Sequence, residues 1–446
     1  MNSFLVYSAL IATATSLLSI CTPALANVPP GKASNAREKI TSSPSSRLQQ
    51  WVERAWQIID ENYVDPNFSG LNWQQIREAI QSHRYTSSED AYAAIRAILG
   101  QLNDPATRLL TPQQFAGFER EVTGQPHIGV GLPELLSLDI DEQTRKLTVV
   151  TPAPNTPAAE AGLRPNDRVL RINGISTHGM DLGDAAMRLR GSAGSTVQLT
   201  IQRNNSVFDV ILSRREITPI PAVKARLEAV WQGRQVGYII LNQFTASSPQ
   251  QLKTALEHIQ NADGFVLDLR NNPGGSVSAL QEIAGFFLGE STIGISVERS
   301  GTTELRSIGL QLTDKPLVVL VNEGTASAAE FLAGALLEAK RATVVGTPTF
   351  GKGIVHNFLP LADGAVVAVT TGQVRTPSGH PILGSGIIPN VRVDMENSPL
   401  LDSTIVFASW SDIQYRHAIE QLIMRTEGNS PAATIRGRTT ALQRTD

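Results

Sequence analysis

The run Leu317-Val318-Val319-Leu320-Val321 is apolar at every position. A strand with one wet face alternates apolar and polar residues, so a run like this predicts a strand covered on both faces, in the middle of a parallel sheet. Its surroundings agree. Gly237-Tyr238-Ile239-Ile240-Leu241 reads as a strand, Pro249 to Ile259 as a helix, and Gly264-Phe265-Val266-Leu267-Asp268-Leu269 as a buried strand. Gly275 to Leu288 reads mostly as helix, Ala328 to Leu337 as another, Thr343-Val344-Val345-Gly346 as a strand, and residues 364 to 375 as further β structure. This alternation predicts a parallel-rich sheet with crossover helices from residue 215 to about 400.

The rest of the 446 residues leaves room for one or two more domains. Net charge is −3, which offers no basic face for nucleic acid. Residues 1 to 26 read as a secretory signal. Leu5 to Ile20 is apolar and short, and Ala24-Leu25-Ala26 is a small-x-small cleavage site, although no Lys or Arg precedes residue 32. An uncleaved anchor is the alternative. Cys21, the single cysteine, lies in this segment, so the mature chain would hold neither disulfide nor thiol chemistry. Residues 27 to 44 read as a linker. From residue 45 to 125 helical spacing dominates: Leu48, Trp51, Val52, Ala55, Trp56 and Ile59 on one helix, a second near Trp73 to Gln81, and a third starting at Ser87 or Ser88. The tail from 401 holds one helix, Ile413 to Met424, and a Ser/Thr/Arg-rich end that reads as disordered.

Between residues 126 and 214 the pattern becomes β-rich. Gly129-Val130-Gly131-Leu132 comes first, then Thr156-Pro157-Ala158-Ala159-Glu160-Ala161-Gly162-Leu163, then Asn166-Asp167-Arg168-Val169-Leu170-Arg171-Ile172-Asn173-Gly174. These three segments, in this order, resemble a PDZ domain. Backbone N–H groups of the Gly129–Leu132 loop would form a nest for a C-terminal carboxylate, and a peptide would add as a strand beside it. The alternative is that these glycines serve turns only.

Ser327 follows the apolar strand and precedes a helix. A nucleophile there has free backbone N–H groups and a positive dipole end beside it. Serine at that place is also a common N-cap. Lys352 sits between Gly351 and Gly353. To act as a base at neutral pH its amine must be held uncharged, which burial away from carboxylates achieves; the alternative is a solvated loop lysine. Asp268-Leu269-Arg270-Asn271-Asn272-Pro273-Gly274-Gly275 is a glycine-rich turn between a strand and a helix, able to aim an N–H at a developing oxyanion. No GxxxxGK[ST], GxGxxG or HExxH occurs and the seven histidines are scattered, so neither a nucleotide, a metal nor another cofactor is expected.

Together the Asp-Leu-Arg-x-Asn-Pro-Gly-Gly, Gly-Thr-Ala-Ser-Ala and Thr-Phe-Gly-Lys-Gly segments resemble the carboxyl-terminal processing proteases, tail-specific endopeptidases of family S41 with a Ser/Lys dyad. The resemblance runs from about residue 45 to 392. It implies a multidomain α+β chain with an N-terminal helical region, a PDZ domain and an α/β protease core. By the same resemblance Ser327 is the nucleophile and Lys352 the general base. The N–H groups of Ala328 and of the Gly274-Gly275 turn form the oxyanion hole, with Glu330 and Thr349 in support. It further implies an exported serine endopeptidase, in periplasm or thylakoid lumen, that takes the free C-terminus of protein substrates, membrane-associated ones included. A weaker likeness points to the branch that trims photosystem reaction-centre precursors.

Two positions depart from the family pattern. Ala106 stands in Asp104-Pro105-Ala106-Thr107 where the family has His, and His356 stands where the family has Gln. Residues 352, 354 and 356 would share one face of an extended strand, so neutral His356 could accept a hydrogen bond from Lys352. Its protonation predicts activity that falls on mild acidification. These departures also motivate an alternative, a PDZ scaffold on an inactive protease fold.

Overall fold

The computed structural model describes residues 44–426, apart from 123–124, 134–136, 142–143, 219, 231–232 and 396–408. The expected signal, the expected linker as far as residue 43, Cys21 and the end of the tail lie outside the described residues; Pro44, counted with the linker, opens the first helix.

Helices α1 (Pro44–Asn62), α2 (Trp73–Ser82) and α3 (Ser88–Gln101) form where the apolar spacing predicts them. Asn72 and Ser87 cap α2 and α3, accepting from the Gln75 and Asp90 N–H at 3.1 Å each. Their apolar faces do not close on one another alone. They bury Leu109, Leu361, Val367 and Val369 with them. The reason is a short strand, β1 (Arg108–Leu110), which pairs antiparallel with a strand from the far end of the chain, Val366–Arg375. Helix α4 (Pro112–Val122) follows.

The PDZ block begins with β2 (His127–Gly129), β3 (Leu138–Ile140), β4 (Leu147–Val149) and the short α5 (Pro157–Glu160). It continues with β5 (Arg168–Ile172), β6 (Ile175–Ser176), α6 (Leu182–Leu189), β7 (Thr196–Arg203), β8 (Ser206–Ser213) and β9 (Arg215–Ile217). Its sheet runs β3-β4-β5-β7-β8, with β6 on β5, which leaves β3 at an edge; β2 pairs with β9. Val130, Leu132, Leu138 and Ile140 point into its core.

Strands β10 (Val223–Ala229), β11 (Gln235–Leu241), β12 (Gly264–Asp268), β15 (Leu317–Val321), β16 (Ala342–Gly346) and β19 (Val391–Arg392) form the main sheet in that order. Only the β10–β11 pair is antiparallel. Helices α7 (Ser248–His258), α8 (Val277–Leu288) and α9 (Ala328–Glu338) cover one face. Helix α10 (Ile413–Thr426) covers the other through Tyr415, Ile419 and Leu422. All of β15 is buried, as its composition demands.

A second sheet was not apparent from the sequence. The hairpin β13 (Thr292–Glu298) and β14 (Gly301–Arg306) joins β17 (Ile354–Pro360), β18 (Val366–Arg375) and β1. Its strands mix polar and apolar residues irregularly, and their pairing is distant in sequence, so no local signal announces them.

Candidate active site

Strand β15 delivers the chain to Ser327, and α9 leaves it. Ser327 has φ 54° and ψ −125°, a conformation non-glycine residues rarely hold. The turn is therefore a strained strand-to-helix elbow that presents the side chain rather than burying it in regular structure. The cap comes from the opposite direction: Glu330 Oε2 accepts the Ser327 N–H at 2.8 Å.

Glu330 is fully buried and takes three further donors. Thr349 Oγ1 donates to Oε1 at 2.5 Å, the Gly351 N–H to Oε1 at 2.7 Å, and the Lys352 N–H to Oε2 at 2.8 Å. Burial pushes its carboxyl above the usual range, and these hydrogen bonds pull back toward the ionised form. One carboxylate thus joins the Ser327 elbow to the Lys352 loop. Thr349 Oγ1 also accepts the Ile387 N–H at 2.6 Å, bringing in residues 382–387, which sequence reasoning missed. A Cβ at Gly353 would lie 2.7 Å from the Leu383 nitrogen, so close backbone approach explains that glycine.

The Asp268–Gly275 turn packs against the elbow. A Cβ on Gly274 would meet the Ala326 oxygen and Ser327 Cβ at 2.8 Å and the Ala328 nitrogen at 2.9 Å. Three bonds fix the register: Ala326 N–H to the Asn272 carbonyl at 2.9 Å, Asn271 N–H to Asn322 Oδ1 at 2.9 Å, and Thr325 Oγ1 to the Leu269 carbonyl at 2.8 Å. One expectation is narrowed. The Gly274 N–H already donates to Asn272 Oδ1 at 2.8 Å. Of the amides expected in the oxyanion hole, those of Gly275 and Ala328 have no hydrogen-bond partner among the described residues.

Lys352 is buried, but not away from carboxylates as the sequence reading expected. Its Nζ lies 3.0 Å from Asp139 Oδ2, with the two side chains 7% and 15% exposed. The contact joins the core to the PDZ block. Asp139 belongs to β3 of the PDZ block, and nothing local in Leu138-Asp139-Ile140 announces a partner at 352.

His356 also differs from expectation. The β17–β18 pairing carries a bulge between Val355 and His356, with Thr371 of β18 as the extra residue. Burial, then the positive charges of Lys352 and Arg108, push its pKa down to about 3. It stays neutral on mild acidification, which overturns the predicted acid loss through this residue. Its Nε2 is buried without a hydrogen-bond partner among the described residues. Ala106 lies nearby in the fold: the neighbouring Thr107 hydroxyl accepts the N–H of Thr370, the residue paired with His356.

In the expected peptide loop Val130 and Leu132 are buried anchors, and Gly131 takes φ 85°, where a Cβ would meet Thr156 Oγ1 at 2.0 Å. Ala158 N–H to the Val130 carbonyl and Ala153 N–H to the Gly131 carbonyl, each 2.9 Å, fix its shape. One cavity is lined both by Gly131, Pro133 and Thr151 of this block and by Asn242, Asn271 and Pro273 of the core. Among the described residues no cluster of three metal-ligating side chains occurs.

Comparison with known proteins agrees with this architecture. Residues 235–393 match the peptidase family S41 model and residues 148–203 a PDZ domain model. The chain is 40% identical over 378 residues to a carboxyl-terminal-processing protease of Synechocystis, covering 84% of this chain and 86% of that protein. It is 36% identical to carboxyl-terminal-processing peptidase 2, chloroplastic, of Arabidopsis thaliana, covering 75% and 67%. A solved photosystem II D1 C-terminal processing protease superposes with TM-score 0.71 at 33% identity, covering 79% of this chain and 94% of that one. A PDZ block set beside a serine peptidase core, with relatives this similar over most of their length, means that the chain belongs to the carboxyl-terminal-processing proteases of peptidase family S41.

Proposed function

We propose that this peptidase is an exported endopeptidase that cuts near the free C-terminus of protein substrates, using Ser327 as nucleophile and Lys352 as base. The reading divides the chain into residues 45–125, a PDZ unit at 126–214 and a catalytic unit at 215–400. The observation that carries it is Glu330, whose carboxylate receives the backbone N–H of both Ser327 and Lys352.

The substrate's terminal carboxylate docks in the Gly129–Leu132 loop and its chain pairs with β3. The neighbouring cavity leads from that loop toward Pro273, beside the oxyanion turn. Neutral Lys352 takes the Ser327 proton as Oγ attacks the scissile carbonyl. The Gly275 and Ala328 N–H groups face the oxygen that becomes negative. Lys352 then protonates the departing amine, leaving an acyl ester on Ser327. Water, deprotonated by the same amine, hydrolyses that ester and restores the hydroxyl. His356 Nε2, neutral and without a partner among the described residues, orients the amine from the side. The substrates include membrane-associated proteins presenting a luminal or periplasmic tail. An exported signal at the N-terminus fits either compartment.

The test is direct. The chain and Ser327→Ala are incubated with an unfolded protein that ends in an apolar residue with a free carboxylate, and the products are weighed by mass spectrometry. Shortened products from the first alone are expected. Equal cleavage by both, or products cut far from the C-terminus, would sink the reading.

A further inference from the structure

Between β14 and β15 the chain runs Ser307-Ile308-Gly309-Leu310-Gln311-Leu312-Thr313-Asp314 along α8. Three of these side chains are apolar and stand in solvent: Ile308 is 48% exposed, Leu310 84% and Leu312 43%. Single apolar residues scattered on a surface are ordinary, but three within five positions mark a contact face. The strip is not loose, because both of its flanks are fastened. The Ile308 N–H donates to the Gln281 carbonyl at 3.1 Å and the Leu312 N–H to the Phe286 carbonyl at 2.9 Å. The buried Ser307 hydroxyl donates to the Gly289 carbonyl at 2.6 Å, and Arg341 Nη2 to the Thr313 carbonyl at 3.0 Å. Gly285 permits the approach: a Cβ there would meet the Ile308 oxygen at 1.9 Å. A face ordered before binding loses little entropy when it binds.

The order of the side chains says what fits. Counted outward from Leu310, Ile308 and Leu312 stand two residues away, and Arg306 and Asp314 four. Both charged residues are exposed. A strip apolar at its centre, with opposite charges equally spaced on its two sides, is complementary to its own reverse, and reversal is what a two-fold axis performs. We propose that residues 306–314 form the contact of a symmetric dimer of this chain, with the axis at Leu310. Each Leu310 packs on its counterpart, Ile308 packs on Leu312 of the second copy, and Arg306 meets Asp314 of the second copy. Arg306 Nη1 already lies 2.8 Å from Glu304 Oε2, but that pair is exposed and holds it weakly. An anionic lipid surface fits less well, because the neighbouring cations are engaged and Asp314 adds negative charge: Lys315 Nζ donates to the Gln260 and Ala262 carbonyls and Arg341 to Thr313. The strip enters β15 at its start and Ser327 follows its end, so pairing leaves both Ser327 elbows uncovered.

The experiment is sedimentation velocity of the purified chain over a dilution series. It compares the unaltered chain with Leu310→Asp, Asp314→Arg and the double variant Arg306→Asp with Asp314→Arg, and melting curves check that each is folded. The unaltered chain should pass from monomer to dimer with a Kd on the order of 10 µM, weak because so short a strip covers less than the ~800 Å² per partner of a standard interface. Leu310→Asp should raise Kd at least about tenfold. Asp314→Arg should raise it as well, since two arginines then face each other, and the double variant should bring it back by restoring opposite charges. A chain still monomeric at about ten times the expected Kd overturns the proposal. So does a dimer that Leu310→Asp leaves unchanged, or a double variant that associates no better than Asp314→Arg. Flotation of a monomeric unaltered chain, but not of Leu310→Asp, with phosphatidylcholine–phosphatidylglycerol vesicles would assign the strip to a lipid surface and overturn the dimer too.

Discussion

At the scale of single residues, Glu330 is the junction of the site. Its four donors come from the Ser327 elbow and the Lys352 loop, and none is replaceable by solvent because the residue is buried. Glu330→Gln sets an NH2 group against two of those donors. An unsatisfied buried group costs about 1–3 kcal/mol, and displacement of either catalytic side chain by about 1 Å costs on the order of a hundredfold in rate. The expected outcome is a lowered melting temperature and a kcat loss much larger than any change in KM, read from melting curves and steady-state kinetics. His356 gives a different signature. Its folded pKa of about 3 lies below the ordinary imidazole value, so the unfolded chain binds the proton first as pH falls. Stability linked to this residue is intact above about pH 6.5 and declines by about 1 kcal/mol per pH unit from there toward 3. Comparison of denaturant midpoints from pH 7 to 5 should show His356→Gln losing less stability than the unaltered chain. A parallel decline of both would refute the assignment.

At the scale of elements, the Asp268–Gly275 turn is held from behind by α10. Arg270 is buried, with Nη2 2.6 Å from Asp268 Oδ2, Nη1 2.8 Å from Asp412 Oδ2, and Nη1 3.1 Å from Gln414 Oε1. Asp412 also caps α10, accepting the Tyr415 N–H at 3.1 Å. A segment that reads as a tail helix therefore steadies a turn ending four residues later at Gly274. Taking one charge from a buried ion cluster is costly, about 3 kcal/mol. Asp412→Asn should lower stability by about that amount and slow acylation of Ser327 in the fraction that remains folded, measured by fluorophosphonate labelling per folded molecule. Undiminished labelling would mean that the helix supports the fold alone. The elements of the proposed site were legible because each is written locally: an apolar strand before Ser327, glycines around Lys352, a Gly-Gly turn after β12. Asp139, Asp412 and the 382–387 loop were not, since each acts on a partner far along the chain, and an isolated aspartate in a strand or helix start looks the same whether it meets water or a lysine.

Across the whole molecule the same division holds. The parallel sheet was legible because burial on both faces leaves a compositional trace. The second sheet leaves none, and it alters how the N-terminal helices stand: their core is completed by Leu361, Val367 and Val369, from near the other end of the polypeptide. The PDZ block and most of the main sheet are strung between those two segments. Thr107 and Thr370 are 263 positions apart and joined by a hydrogen bond of 3.0 Å. Closing so long a span is slow, and a polypeptide emerging from its N-terminus leaves β1 without its mate until β18 has been made. The strand bearing His356, which pairs with β18 throughout, waits for the same moment. A chain cut short before β18 would carry Ser327 and Lys352 but lack the strand that both β1 and β17 pair with.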